Sequence, residues 1–293
     1  KYYTNRKCED TSSEYLFGSY NPENEFEYFL TLMISNNFPI SYLDGYKSLI
    51  EEGELSGWPL NPKVIICSSS HNSNEIFKVW AAEKLENNNT KLVIAQHGGT
   101  YGTAKWSFFE DLELRIANMY FSWGWYKESY DNIYPVPSMK IDRYKKQLKS
   151  YKKDGKLLVI TSNLPRYSSD LSSYPVSSQM EGYFDSVINL VKIINNDIFR
   201  STVIRLDPSK NFSWYQKDRW LDVFEDISFD SCSETLYKSI NNSRLVIGTF
   251  NSTTILETMA ANVPTIIYLN CEHFEVRDSA KKYFTMLKTA NIL

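Results

Sequence analysis

Short aliphatic runs recur along the chain and alternate with stretches long enough for helices: Val64-Ile-Ile-Cys67, Lys91–Ala95, Met119–Ser122, Leu157-Leu-Val-Ile-Thr161, Thr202-Val-Ile-Arg205, Arg244-Leu-Val-Ile247 and Thr265-Ile-Ile-Tyr268. Strands buried on both faces need no polar alternation, and strands separated by a helix pair in parallel. Helical patterning fills the intervals, at residues 26–35, 74–85, 108–118, 183–195, 233–241 and 254–261. The alternation predicts an α/β fold with two Rossmann-like domains. Between residues 128 and 156 the chain carries Pro135, Pro137, many lysines and few aliphatic residues, the composition of a connector. The expected domains are therefore 1–153 and 154–293.

The size and chemistry of the chain bound its partners. Its 293 residues, 42% hydrophobic and 15% aromatic, can bury a substantial core. The net charge of -3 comes from 32 basic and 35 acidic residues that are interspersed, leaving no basic stripe for a phosphate backbone. Nucleic acid is not an expected partner. Cys8, Cys67, Cys232 and Cys271 lie far apart, without a C-x-x-C pair or a histidine cluster at metal-ligand spacing. Free thiols in a reducing compartment follow, and neither a metal nor another cofactor is expected. No apolar run approaches the roughly 18 residues of a membrane span, and the N-terminus lacks a signal pattern. The expected location is the cytoplasm, with at most peripheral association at the inner face of the inner membrane through a partner or lipid acceptor. The chain opens at Lys1 without methionine and stops at Leu293 soon after a helical pattern, so truncation at both ends is expected.

Two segments carry chemistry. The strand Lys91–Ala95 runs into Gln96-His97-Gly98-Gly99-Thr100-Tyr101-Gly102. Ligands of open parallel sheets bind at such strand ends, where the glycines let the backbone approach closely. The second segment is Leu245-Val-Ile-Gly-Thr-Phe-Asn-Ser-Thr-Thr-Ile-Leu-Glu257, a strand that passes through a hydroxyl- and amide-rich turn into a helix. A helix N-terminus offers free N–H groups and a positive dipole end to an anion. Thr249, Asn251, Ser252, Thr253 and Thr254 can bond phosphate oxygens, and Glu257 can accept from a ribose or sugar hydroxyl. The competing reading is that Asn251 or Ser252 only caps the helix.

This second segment resembles the donor-nucleotide element of GT-B-fold glycosyltransferases and of teichoic-acid glycerophosphotransferases, including the Asn262-Val-Pro264 turn into the next strand. Taken with Gln96 to Gly102, Ser122-Trp-Gly-Trp125, Arg205, Trp214 and Arg219-Trp220, residues 90–290 are similar to a family of transferases from bacterial lipopolysaccharide O-antigen clusters. The family pattern departs after Arg205-Leu206. There the relatives tend to carry Tyr-Pro and Gly-Trp, whereas this chain has Asp207-Pro208 and Phe212-Ser213-Trp214, which leaves the role of that loop open.

The resemblance implies two Rossmann-like domains facing a cleft and a nucleotide sugar as donor, with a cytidine-activated acidic sugar among the candidates. It implies a saccharide or lipid-linked saccharide as acceptor. The donor would be held by the C-terminal domain around Thr249 to Glu257, with Arg205 on its phosphate or a sugar carboxylate. A general base needs a pKa near working pH, which a histidine side chain has when unperturbed, so His97 is the candidate, and a His-Gly pair occupies the same place in the glycerophosphotransferases. Its alternative is a structural role in the loop. Glu110 is the candidate carboxylate, and Glu113 reads as an ordinary solvated residue on the same helix. Trp123, Trp125, Trp214 and Trp220 can stack on sugar or base faces and, with Arg219, line the acceptor side of the cleft, although a tryptophan is more often core. Transfer of a polyol phosphate, or a non-catalytic sugar- or nucleotide-binding module, are the rival functions.

Overall fold

The computed structural model describes residues 20–42, 45–148, 152–168, 172–208, 212 and 214–293. Cys8 and Ser213 lie outside these residues. The chain divides into two compact units, Lys1–Val93 and Ile94–Leu293.

The first unit holds α1 (Glu25–Asn37), α2 (Gly45–Leu55), β1 (Val64–Cys67), the single turn α3 (Ser70–Ser73), α4 (Glu75–Asn88) and the start of β2 (Lys91–Ala95). Asn24 caps α1 by accepting from the Glu27 N–H, and Asn74 caps α4 by accepting from Phe77. Gly53 permits α2 and α4 to meet, since a Cβ there would lie 3.1 Å from Trp80 Cβ. Trp80 completes an aromatic cluster with Trp58 and Phe77. Asn89 ends α4 in the left-handed region, and Lys91 N–H donates to Lys63 O, placing β2 beside β1.

In the second unit the chain leaving β2 stays in register with β3 (Met119–Ser122), Gln96 N–H donating to Phe121 O. Between them lies α5 (Phe108–Ile116), and β3 pairs in parallel with β4 (Ile133–Pro135). The predicted connector thus contains a strand and a helix, α6 (Met139–Lys145), capped by Ser138. Its composition concealed them because β4 spans only three residues and ends in a proline that needs no ladder N–H.

From Lys156 onward a five-stranded sheet forms in the order β7-β6-β5-β8-β9, every neighbouring pair parallel. Its strands are β5 (Lys156–Ile160), β6 (Thr202–Arg205), β7 (Ser228–Phe229), β8 (Ser243–Gly248) and β9 (Thr265–Ile267). The intervening helices are α7 (Gln179–Lys192), α8 (Asn196–Phe199), α9 (Gln216–Leu221), α10 (Leu236–Asn241) and α11 (Thr253–Ala260), with α12 (Asp278–Thr289) last. Both faces of the sheet are buried, which explains the unbroken apolar runs. Leu157, Val159, Ile204 and Ile247 pack under α7 with Trp214 and Trp220, while Leu158, Val203 and Val246 face Ile240 and Val263.

The strand order has a functional consequence. From β5 the chain winds outward through β6 to β7, then returns to β8 on the other side of β5 and continues to β9. The winding direction reverses between β5 and β8, and at such a switch point the crossover connections diverge and leave a crevice beyond the carboxyl ends of the strands.

Candidate functional site

A cavity of ≈ 280 Å³ lies at that switch point. Ile160 to Ser162 beyond β5, Arg205 to Pro208 beyond β6, and Gly248, Thr249, Phe250, Ser252 and Thr254 between β8 and α11 line it. Ser252 is the N-cap of α11 and makes no side-chain capping bond, and Ser252 and Thr254 bring the start of the helix to the cavity wall. The site therefore combines hydroxyl groups, a helix N-terminus and apolar walls from Ile160, Leu206 and Phe250. Among the described residues no cluster of three or more His, Cys, Asp or Glu is placed to hold a metal ion.

The predicted donor residues divide into those that face the cavity and those that frame it. Thr254 and Ser252 face it, half-buried. Thr249 is buried, and its hydroxyl bridges Ile160 O at 2.9 Å and the Tyr183 hydroxyl at 2.7 Å. Tyr183 also accepts from the Ser162 N–H, which locks the β5 and β8 loops together. Burial pushes the Tyr183 phenol up to about 12, so it stays neutral at physiological pH. Asn251 turns away, donating to Thr103 Oγ1 at 3.0 Å, and Thr253 is half-buried outside the lining.

Arg205 lines the cavity, but its guanidinium is engaged. It donates to Asp230 Oδ2 and Ser239 Oγ, both at 3.0 Å, and to Glu234 O. Burial alone would raise the Asp230 carboxyl; hydrogen bonds from Ser239, the Cys232 N–H and Arg205 outweigh it and hold the group below its usual range.

Glu257 lies one turn along α11 and does not line the cavity. It is buried, with Tyr237 Oη at 3.5 Å and Lys140 Nζ at 4.0 Å. Burial raises its pKa above 4.5, opposed by the Lys140 charge and the Tyr237 hydrogen bond. The folded chain thus holds this proton more tightly than the unfolded chain, so the contribution of Glu257 is greatest in acid and is lost as pH rises through and above 4.5. Glu257→Gln should gain stability relative to the parent between about pH 4 and about pH 8 in urea unfolding. A gap that stays constant or moves the other way would contradict this.

The glycine-rich loop packs directly on the α11 turn. A Cβ on Gly99 would lie 2.6 Å from Thr253 N and 2.7 Å from Ser252 C, a distance that backbone cannot yield. Gly102 has φ +75°, and a Cβ there would lie 2.3 Å from the Trp125 ring. The glycines expected to admit a ligand thus admit protein instead, while at Gly98 a Cβ would meet only the edge of Tyr101. Gln96 is buried and organises the loop. Its Oε1 accepts from Trp123 N and Trp125 Nε1, and its Nε2 donates to Gly98 O. Trp125 is half-buried, with the Arg277 guanidinium 5.5 Å from its ring centroid.

The two helix carboxylates differ from expectation. Glu110, 1% exposed, accepts from Gly102 N at 2.7 Å and from Arg277 Nη2 at 2.5 Å, and so fastens the loop. Glu113, expected to be solvated, is fully buried. Residues 110, 113, 114 and 117 form one helical stripe, i, i+3, i+4, i+7, and all four face inward. Glu113 accepts from the Tyr101 hydroxyl at 2.9 Å and lies 3.8 Å from His97 Nδ1. His97 itself is about one-third exposed, so it can meet both the buried carboxylate and a ligand.

Trp214 and Trp220 are corrected outright: both are core residues, 2% and 3% exposed, and no sugar can stack on them. Trp214 donates its indole N–H to Leu164 O and lies between Phe184 and the guanidinium groups of Arg166 and Arg219. Arg219 donates to Trp214 O, a packing role. Trp123 and Trp125 are half-buried.

Sequence reasoning missed Tyr183, Thr161, Ser162, Lys140 and Arg277. The last is joined to the loop by a short antiparallel bridge, Ala104 to Val276, and by Arg277 N–H to Thr103 O. No described helix is long and apolar enough to cross a membrane.

Residues 4–293 match the model of a family described as LIC12162 family transferase. No curated protein matches the chain.

Proposed function

The chain belongs to the LIC12162 family of transferases, and from that premise we propose that it transfers a sugar from a nucleotide-activated donor, as a GT-B-like enzyme, during bacterial surface polysaccharide synthesis. The observation that carries this reading is the cavity at the switch point between β5 and β8, lined by Ser252 and Thr254 at the start of α11. Backbone N–H groups at a helix N-terminus stabilise the charge that develops on a leaving phosphate.

In the proposed reaction an acceptor hydroxyl loses its proton to His97 and its oxygen bonds to the anomeric carbon. The bond from that carbon to the donor phosphate breaks, and the nucleotide phosphate leaves with the electron pair. His97 stands on the loop whose Gly99 touches Ser252 and Thr253, so base and helix N-terminus are held in one rigid unit. The acceptor in this reading is the growing saccharide on its lipid carrier, as in an O-antigen.

A donor-turnover assay tests the proposal. The protein is incubated without acceptor with cytidine-, uridine-, guanosine- and thymidine-activated sugars and with a cytidine-activated polyol, and nucleotide release is followed by chromatography. Slow hydrolysis of one donor, reduced about ten-fold or more in Thr254→Glu, is expected. The new carboxylate opposes a phosphate in the cavity while favouring the helix N-terminus by about 0.3–1 kcal/mol, so the variant folds. Hydrolysis of a nucleotide-activated polyol alone assigns phosphate transfer instead. Binding without any turnover assigns a recognition module.

A further inference from the structure

Tyr101 sits between the imidazole of His97 and the carboxylate of Glu113. Its hydroxyl donates to Glu113 Oε1 at 2.9 Å and lies 3.4 Å from His97 Nδ1, the two rings meeting edge to face with centroids 5.1 Å apart. A phenol has one proton. With that proton given to Glu113, the phenol oxygen faces Nδ1 as an acceptor, and the carboxylate itself lies 3.8 Å from the same nitrogen.

We infer that Glu113 is a positioning residue, acting through Tyr101 to hold His97 as the Nδ1–H tautomer and so make Nε2 its basic nitrogen. The inference rests on the reading of His97 as the acceptor base, and supplies what that reading lacks: which ring nitrogen takes the proton, and what orients it.

The surroundings favour this arrangement. Glu113 is fully buried and accepts from the Tyr101 hydroxyl, and a hydrogen bond away from water holds its geometry more strongly than an exposed one. Burial and the charges of Glu113 and Glu110 keep the Tyr101 phenol well above its ordinary range, and Tyr174 adds to this, so the relay keeps its proton. From β3, Tyr120 also faces Glu113, and its phenol is held neutral in the same way. Glu110 is occupied by Arg277 and the Gly102 N–H. Glu113 is therefore the carboxylate directed at the imidazole.

The three histidines, His71, His97 and His273, make the test direct. Protein labelled with nitrogen-15 in histidine is examined by NMR without any substrate, at about pH 9, where an ordinary imidazole is neutral. His71 and His273 are assigned by single replacement. His97 is expected as the Nδ1–H tautomer in the parent. The tautomer ratio should shift toward Nε2–H by about ten-fold or more in Tyr101→Phe and in Glu113→Gln, the size set by a charge-assisted hydrogen bond. Glu113→Asp, which keeps a carboxylate, should restore part of the shift. Tyr101→Phe keeps the ring and the fold even where a change at buried Glu113 unfolds the chain. His97 found as Nε2–H in the parent, or a ratio unchanged in Tyr101→Phe, overturns the inference. Because no donor or acceptor is present, that result stands apart from any failure of the transferase reading.

Discussion

Replacing Arg277 by alanine should lower the unfolding free energy by about 3–5 kcal/mol, because it leaves the buried Glu110 carboxylate without its counter-charge. Only the Gly102 N–H would remain to it. The side chains are 15% and 1% exposed, so water cannot take the place of the guanidinium. Arg277 also donates from Nε to Ala104 O and lies over Trp125, and both contacts go with it. Arg277→Lys keeps the charge but not the planar fork, and should recover only part of the loss. The double variant Arg277→Met, Glu110→Gln should be much closer to the parent, since it removes the stranded charge as well as the pair. Urea unfolding of the four proteins measures this, and a loss below about 1 kcal/mol for Arg277→Ala would show that the pair is not the fastening of the loop.

His97→Ala should reduce transfer to an acceptor by about 10²- to 10⁴-fold, the usual contribution of a positioned acid–base group. Nucleotide affinity should change little, because His97 does not line the cavity. Stability should also change little: the ring is about one-third exposed and its neighbours Tyr101 and Glu113 keep their own hydrogen bond. The measurement is a comparison of transfer rate and nucleotide affinity on the same preparations. Transfer within about three-fold of the parent would remove His97 from the chemistry, since a general base contributes far more than that.

The parallel strands were legible because each is a short aliphatic run buried on both faces; β1, β2, β3 and β6 fall on the residues that the pattern gave. The sequence pattern missed the helix Gly45–Leu55, whose face holds few strongly apolar residues, and elements too short to carry a period. The two-residue β7 and three-residue β4 exist through pairing with longer neighbours, Ile204 to Phe229 and Tyr120 to Ile133. The site was half legible for a similar reason. A hydroxyl-rich turn between a strand and a helix announces the α11 N-terminus locally, and Thr254 and Ser252 indeed line the cavity. Side-chain partners far apart in sequence leave no local trace. Glu110 and Arg277 are 167 residues apart, and Tyr183 and Thr249 are 66 apart. Glu113 could have been found: it shares a helical stripe with Leu114 and Ala117, and a carboxylate on an apolar stripe calls for a buried partner. Trp214 is in the core, where a tryptophan is more often found, and only neighbours distant in sequence distinguish that place from a sugar face.

The central claim is that the cavity between β5 and β8 receives the nucleotide of an activated donor at the N-terminus of α11. Calorimetric titration of the protein with mono- and diphosphates of cytidine, uridine, guanosine and thymidine, beside Thr254→Glu, tests it most directly. One nucleotide should bind the parent selectively and bind the variant about ten-fold or more weakly, with the variant no less stable in urea. Equal affinity of both proteins for every nucleotide that binds, or no binding to a folded parent, would contradict the account.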